Sequence, residues 1–297
     1  MKVFTAVCAA TLTLTSVASA RTINIINQCS YTIWPAAFAD GLPTAETGFE
    51  LAAGSSKSLT VSDTLSSARF WARTGCNGTG DSLTCATGDC GGKMQCAGIT
   101  GQSATLAELT LSAGGQDWYD ISNVDGYSIP VRIQPTGSYS KVGGNDSDAY
   151  NCATAQCAMN ANSCAPELVK KNPDGTSSCL SICSAINDPE QRAKFSILQK
   201  YYNDPNTAAL VCCSCGTGCS GNCGCYTSIQ CLFGCSPFSA KGLGGVCDSS
   251  KWPLSSEGKP YPSYLKDSCP GAYSWAFDDN TSTMECSGAN YDITFCY

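Results

Sequence analysis

The chain has 297 residues, among them 23 cysteines, 29 glycines and no histidine, and its 17 Lys+Arg against 24 Asp+Glu leave a formal charge of −7. Without histidine there is no Ser-His or Cys-His catalytic pair, no His-ligated metal and no imidazole pH switch, so acid–base chemistry falls to carboxylates. The acidic balance lacks the basic footprint that phosphate backbones and anionic headgroups select, so neither nucleic acid nor a stable membrane association is expected.

Residues 1–20 read as an export signal. Lys2 supplies the positive start, Val3 to Val17 a short apolar stretch, and Ala18-Ser19-Ala20 the small-residue cleavage pattern. Cleavage there leaves 277 residues; it takes the charge to −8 by removing Lys2 and the cysteines to 22 by removing Cys8. An even, high cysteine count in an exported chain predicts up to eleven disulfides. No other apolar run reaches about 18 residues and the C-terminus is not hydrophobic, so no transmembrane helix or lipid anchor is expected. The expectation is a secreted monomer, extracellular or at the cell wall.

In chain order, Thr22 to Trp34, Lys57 to Val61, Arg69 to Thr74, Thr105 to Leu111 and Ser128 to Ile133 are short runs rich in Ile, Val, Thr and aromatics, separated by Gly, Ser and Asn turns. The pattern predicts an antiparallel β-sandwich or barrel. In Thr105 to Leu111 a period of two puts Ala107, Leu109 and Leu111 on one face, with Leu106, Glu108 and Thr110 on the other. Glu108 therefore points away from the more apolar face. After Tyr150 the character changes. Asp188 reads as an N-cap, Pro189 as the first helical position and Gln191 as the partner in a capping box; Phe195, Leu198 and Tyr202 follow at helical spacing, and Pro205 ends the helix. Between Cys212 and Cys235 eight cysteines lie among Gly, Ser and Thr, a composition that only crosslinks can hold in shape.

Three features bear on chemistry. Cys215, Cys219, Cys223 and Cys225 have the spacing of a thiolate site for a soft cation, but in an exported chain the same cysteines oxidise to disulfides, so no metal and no cofactor is expected. Asn77, Asn145 and Asn280 each begin an N-glycosylation sequon. Asp120 and Asp125 lie five residues apart across a Ser-Asn turn, beside aromatics, and with Glu108 from a neighbouring strand would form an acidic cleft. Paired carboxylates with separated pKa values are what glycosidic bond cleavage requires. Acids in such turns also serve as plain solvated or capping residues.

Blocks running the length of the chain carry a resemblance: Ile25-Ile-Asn-Gln-Cys-Ser-Tyr-Thr-Ile-Trp34, Arg69-Phe-Trp-Ala-Arg-Thr-Gly-Cys76, Cys85-Ala-Thr-Gly-Asp-Cys-Gly-Gly-Lys-Met-Gln-Cys96, Thr105-Leu-Ala-Glu-Leu109, Asp120-Ile-Ser-Asn-Val-Asp-Gly-Tyr127, Cys269-Pro-Gly-Ala-Tyr-Ser-Trp275 and Asn290-Tyr-Asp-Ile-Thr-Phe-Cys296. In these the sequence resembles the thaumatin-like protein family. The resemblance implies a mainly β fold. A thaumatin-like β-sandwich core would take about 21–74, 108–150 and 270–297, a small disulfide loop domain about 75–107, and a disulfide-rich helical second domain about 151–269. It implies an acidic cleft of Arg69, Glu108, Asp120, Asp125 and Asp279. It also implies the bridges Cys29–Cys296, Cys76–Cys85, Cys90–Cys96, Cys152–Cys286, Cys157–Cys269, Cys164–Cys179 and Cys183–Cys212, leaving the partner of Cys213 open. Segments Ala185 to Val211 and Cys215 to Cys247 look longer than in compact plant members, and with the acidic charge they look more like fungal or invertebrate ones.

Members of the family bind β-1,3-glucan and some hydrolyse it weakly as endo-acting enzymes. The resemblance thus implies Glu108 as general acid and Asp125, or Asp120, as the second carboxylate. Arg69 would hold the carboxylates ionised, with Asp120 and Asp279 contacting sugar hydroxyls. The alternative reading is a glucan-binding defence (antifungal) protein without turnover, the five residues then being a structural ion network or a recognition surface.

Overall fold

The structure, a computed structural model, describes residues 20–96, 103–144, 149–212, 252–275, 278 and 281–297. Alternation organises it from the start. In strand β1 (Ala20–Asn27) Arg21, Ile23, Ile25 and Asn27 are buried and the residues between them less so, the period of two expected for a half-buried strand. It lies beside β3 (Ser56–Ser62) and β13 (Asn290–Phe295), with Ile23 opposite both Leu59 and Tyr291. Outside β13 come β8 (Val131–Thr136) and β9 (Ala155–Cys157), giving a sheet of order β3-β1-β13-β8-β9. A second five-stranded sheet runs β12-β6-β5-β4-β2, built from β2 (Trp34–Phe38), β4 (Ala68–Arg73), β5 (Leu106–Thr110), β6 (Asp117–Ser122) and β12 (Met284–Cys286). Ile23, Ile25, Ile133, Ile293 and Phe295 of the first sheet share one buried core with Phe70, Leu109, Tyr119 and Ile121 of the second. Each such side chain contributes about 1.5–3 kcal/mol by leaving water. The fold is thus a β-sandwich.

Two expectations are corrected here. The sandwich is not wholly antiparallel, because β1 runs parallel to β13. Their connection spans most of the chain and imposes no hairpin geometry, so direction is set by packing. Nor is Thr22 to Trp34 one strand. The buried Asn27 side chain donates to the carbonyls of Tyr31, Leu51 and Ala52 and accepts from the Cys29 N–H, which turns the chain before β2 begins.

Beside the sandwich, β7 (Gly126–Tyr127), β10 (Val169–Lys171) and β11 (Ser177–Leu180) form a small third sheet. Helices α1 (Ile182–Asn187), α2 (Pro189–Lys194), α3 (Ser196–Tyr202), α4 (Pro205–Val211) and α5 (Tyr261–Ser268) follow it. The Asp188 cap forms as the sequence suggests, its carboxylate accepting from the N–H groups of Glu190 and Gln191. The single helix expected from Asp188 to Pro205 does not. Gln191 donates to the Val169 carbonyl instead of closing a capping box, while Leu198 is fully buried. The chain breaks at Phe195 (φ −126°, ψ 104°) to satisfy both, and Pro205 opens α4 rather than ending a helix.

Among the described residues there are seven disulfides: Cys29–Cys296, Cys76–Cys85, Cys90–Cys96, Cys152–Cys286, Cys157–Cys269, Cys164–Cys179 and Cys183–Cys212. They are the pairs that the resemblance implies. The Cys213 to Cys247 cysteines lie outside the described residues. Cys90–Cys96 closes a loop over one end of the outer face of the second sheet, packed on Trp71 and Leu106, and fully buried Arg73 pins it. Its guanidinium donates to the carbonyls of Trp34, Lys93 and Met94, and burial pushes its pKa down to about 10. Among the described residues the other end of that face opens as a cleft.

Candidate active site

At the open end, strand register assembles the charges. Arg69 of β4 stands opposite Glu108 of β5, and Glu108 opposite Asp120 of β6. Residues so placed on one face have Cβ atoms about 4.5–5.5 Å apart. Phe38 of β2 extends the row on the far side of Arg69, and the guanidinium lies over its ring, 5.5 Å from the centroid. The alternation that buries Ala107 and Leu109 in the core is what turns Glu108 outward.

Asp125 joins the row through a turn. The Ser122 hydroxyl accepts from the Val124 N–H at 3.3 Å, and the Gly126 N–H donates to the Asn123 carbonyl at 2.9 Å. Gly126 has φ +100°, and a Cβ there would lie 2.3 Å from the carbonyl oxygen of Cys179 on β11. Only glycine fits. Gly126→Ala is therefore expected to cost roughly 1–3 kcal/mol and lower the melting temperature by about 2–12 °C, measured by thermal unfolding.

The resulting cleft has a volume of about 380 Å³ and is lined by Arg69, Leu106, Glu108, Asp120, Ser122, Val124, Asp125 and Tyr273. Burial pushes the Glu108 carboxyl above its ordinary value; the charge of Asp125 adds to this, while Arg69 and a hydrogen bond from the Ser122 hydroxyl pull it partway back. The cleft thus holds one carboxyl that keeps its proton longer than usual among other acids and an arginine. A carboxyl whose pKa burial raises, next to a second acid, is the arrangement on which acid–base chemistry depends.

Ser122 and Tyr273 line this site without having been singled out in the sequence. Tyr273 arrives from a distant segment: its N–H donates to the Ile121 carbonyl at 2.8 Å and its carbonyl accepts from the Asn123 N–H at 2.9 Å. No local pattern signals that pairing. Asp279 and Asn280 lie outside the described residues, as do Asn145 and the Cys215 to Cys225 cluster. The neighbouring Asp278 is structural, accepting from Ser274 and pairing with Lys266 at 2.8 Å. Asn77 is exposed, in a small β-bridge with Thr84. Among the described residues no group of three or more Cys, Asp or Glu could hold a metal ion.

The family model that matches this chain is that of the thaumatin family, over residues 27–208 and 206–297. Thaumatin-like protein 1 of Pyrus pyrifolia is 34% identical over 279 residues, covering 91% of this chain and 88% of that protein. A Prunus avium protein named glucan endo-1,3-beta-glucosidase is 33% identical over 307 residues, covering 100% of this chain and 99% of its own. Among solved structures, a laminaripentaose-producing beta-1,3-glucanase in complex with laminaritetraose matches with a TM-score of 0.50 at 13% identity, covering 94% of this chain and 99% of that one. The last is a likeness of fold alone. Shared sequence over most of the chain, together with the family match, decides descent: the chain belongs to the thaumatin family.

Proposed function

We propose that the protein is secreted, binds β-1,3-glucan in the acidic cleft and hydrolyses it weakly from within the chain. The observation that carries the reading is the convergence of Arg69, Glu108, Asp120 and Asp125 on one cleft, in which burial raises the pKa of Glu108. Support from likeness comes from the relative named a glucan endo-1,3-beta-glucosidase. Secretion is supported by the seven disulfides and by relatives named as pathogenesis-related proteins.

In this mechanism the protonated Glu108 donates to the glycosidic oxygen as the bond to the anomeric carbon breaks. A second carboxylate, Asp125 or Asp120, then activates water or attacks the oxocarbenium-like centre from the opposite face. Arg69 stands beside Glu108 in the row and faces the same cleft, and half-buried Tyr273 offers its ring to the apolar face of a sugar. Reducing-end release from soluble linear β-1,3-glucan, paired with a pull-down on the insoluble polymer, tests the reading. Release supports hydrolysis, binding without release reduces the cleft to a recognition surface, and the absence of both overturns the proposal.

The pH dependence follows from the sign of the Glu108 shift. A general acid works only while protonated, so kcat should hold at acid pH and fall as pH rises through a midpoint above the ordinary glutamate value of 4.5. Stability moves the same way. The folded state binds this proton more tightly than the unfolded chain, so the contribution of Glu108 is fully present below 4.5 and is lost as pH rises through the raised value. A pH–rate profile beside thermal melts at matched pH checks both.

A further inference from the structure

A second concavity lies at the opposite ends of the strands that build the cleft. Strand β4 carries Arg69 in the cleft at one end and leads at the other into Thr74, which lines a groove of about 350 Å³. Likewise Asp125, just before β7, lines the cleft, and Ser128, just after it, lines the groove. The two spaces share no lining residue. Between them Thr105 and Ser128, both buried, close a wall by reciprocal hydrogen bonds: the Ser128 N–H donates to Thr105 Oγ1 at 3.0 Å, and the Thr105 N–H donates to Ser128 Oγ at 3.2 Å.

The groove sets two aromatic side chains against a polar wall. Tyr31 is 43% exposed, and half-buried Trp34 lines the same groove. Their backbones are fixed from behind, the Tyr31 carbonyl accepting from Asn27 and the Trp34 carbonyl from Arg73. Across from them stands the loop between β10 and β11. There Asp174 Oδ1 is occupied by the N–H and hydroxyl of Thr176, at 3.0 and 2.6 Å. Its Oδ2 is not used by Thr176 and lies on an exposed residue, open to other donors. That oxygen comes so close to Gly75 that a Cβ there would lie 2.7 Å from it. Glycine, at φ +58°, thus leaves the room in which this oxygen sits. Burial and the charge of Asp174 both raise the Tyr31 pKa, which places ring and carboxylate in one electrostatic environment.

Half-exposed rings give the apolar face of a pyranose a surface to lie on, and an open carboxylate oxygen beside hydroxyl groups accepts from sugar hydroxyls. The volume falls within the range of about 300–1,000 Å³ for small-molecule sites. An anionic ligand is disfavoured by Asp174 and by the net charge of −7. We propose that this groove is a second, non-catalytic binding site for a neutral oligosaccharide, with Tyr31 and Trp34 as the platform and Asp174 as the hydroxyl acceptor. The site stands independently of whether the cleft hydrolyses glucan. With both occupied by one polymer, the second contact becomes intramolecular and holds the protein on its substrate.

The test is titration calorimetry of the Glu108→Gln protein, in which turnover should be about 10²–10⁴-fold slower, with laminaritriose, cellotriose and xylotriose, and with trilysine as a cationic control. At least one trisaccharide is expected to bind at a site that Tyr31→Ser and Asp174→Asn each weaken about tenfold. Both substitutions are at exposed side chains, so melting temperature and reducing-end release from a short soluble glucan should be unchanged in the Glu108 background. Binding equal in all variants, no binding by any of the three sugars, or binding of trilysine alone would overturn the proposal. Should cleft hydrolysis prove absent while Tyr31→Ser still weakens sugar binding about tenfold, the groove stands and only the reading of the cleft falls.

Discussion

Glu108→Gln should leave a protein that still sediments with insoluble β-1,3-glucan but releases reducing ends about 10²–10⁴-fold more slowly, the usual contribution of one positioned general acid. Gln keeps the shape and the outward direction that register with Arg69 and Asp120 gives this position, but has no proton to transfer. The substitution also removes a carboxyl whose pKa burial and the charge of Asp125 raise and which Arg69 and Ser122 pull only partway back. Thermal melts should therefore show the variant gaining stability relative to the parent as pH rises, because a group that resists ionisation in the folded state is gone. A variant that loses release and binding together, with its melting temperature intact, would make Glu108 a sugar contact and not the acid. Full activity in the variant would remove Glu108 from the chemistry altogether.

The largest effect on stability is expected far from the cleft, at Asp117. This carboxylate is fully buried, with Oδ2 accepting from the Arg21 guanidinium at 3.2 Å and the Tyr291 hydroxyl at 3.0 Å and Oδ1 from the Ser112 N–H at 2.9 Å. Arg21 itself is 8% exposed. Asp117→Ala strands a buried cation and a buried phenol together, at a cost of about 3–5 kcal/mol, or a fall of roughly 6–20 °C in melting temperature. Because the cost comes from the charge left behind, Arg21→Met combined with Asp117→Leu should recover most of it. If the double variant melts as low as the single one, the damage lies in the hydrogen bonds to Tyr291 and Ser112 and not in the orphaned cation.

Asp117 also shows where sequence reading reaches its limit. Within Asp117 to Tyr127 three acids look alike, yet only Asp120 and Asp125 line the cleft, while Asp117 is spent on Arg21 at the start of β1. Nothing local separates them, since the partner is 96 residues away. What was legible rests on short-range rules: the alternation that turns Glu108 outward, the Asp188 cap, and the turn after Ser122. What was not legible depends on distant packing. The parallel pairing of β1 with β13, the break at Phe195 and the entry of Tyr273 into the cleft are all decided by segments remote in the chain. The seven bridges came through family likeness, as spacing alone leaves their connectivity open.

The parallel seating of β1 against β13 has a consequence for how the chain acquires its shape. As the protein is synthesised, β1 emerges early and can dock on β3 at once, but the edge destined for β13 stays bare until a segment some 267 residues further on has followed, and Cys29 waits as long for Cys296. Loop closure over such a distance is slow, and an unpaired strand edge invites pairing with other chains. The first sheet can close only once residues 290–295 have emerged, so until then the nascent chain carries an open strand edge and an unpaired Cys29 thiol, the state in which it is most exposed to wrong partners.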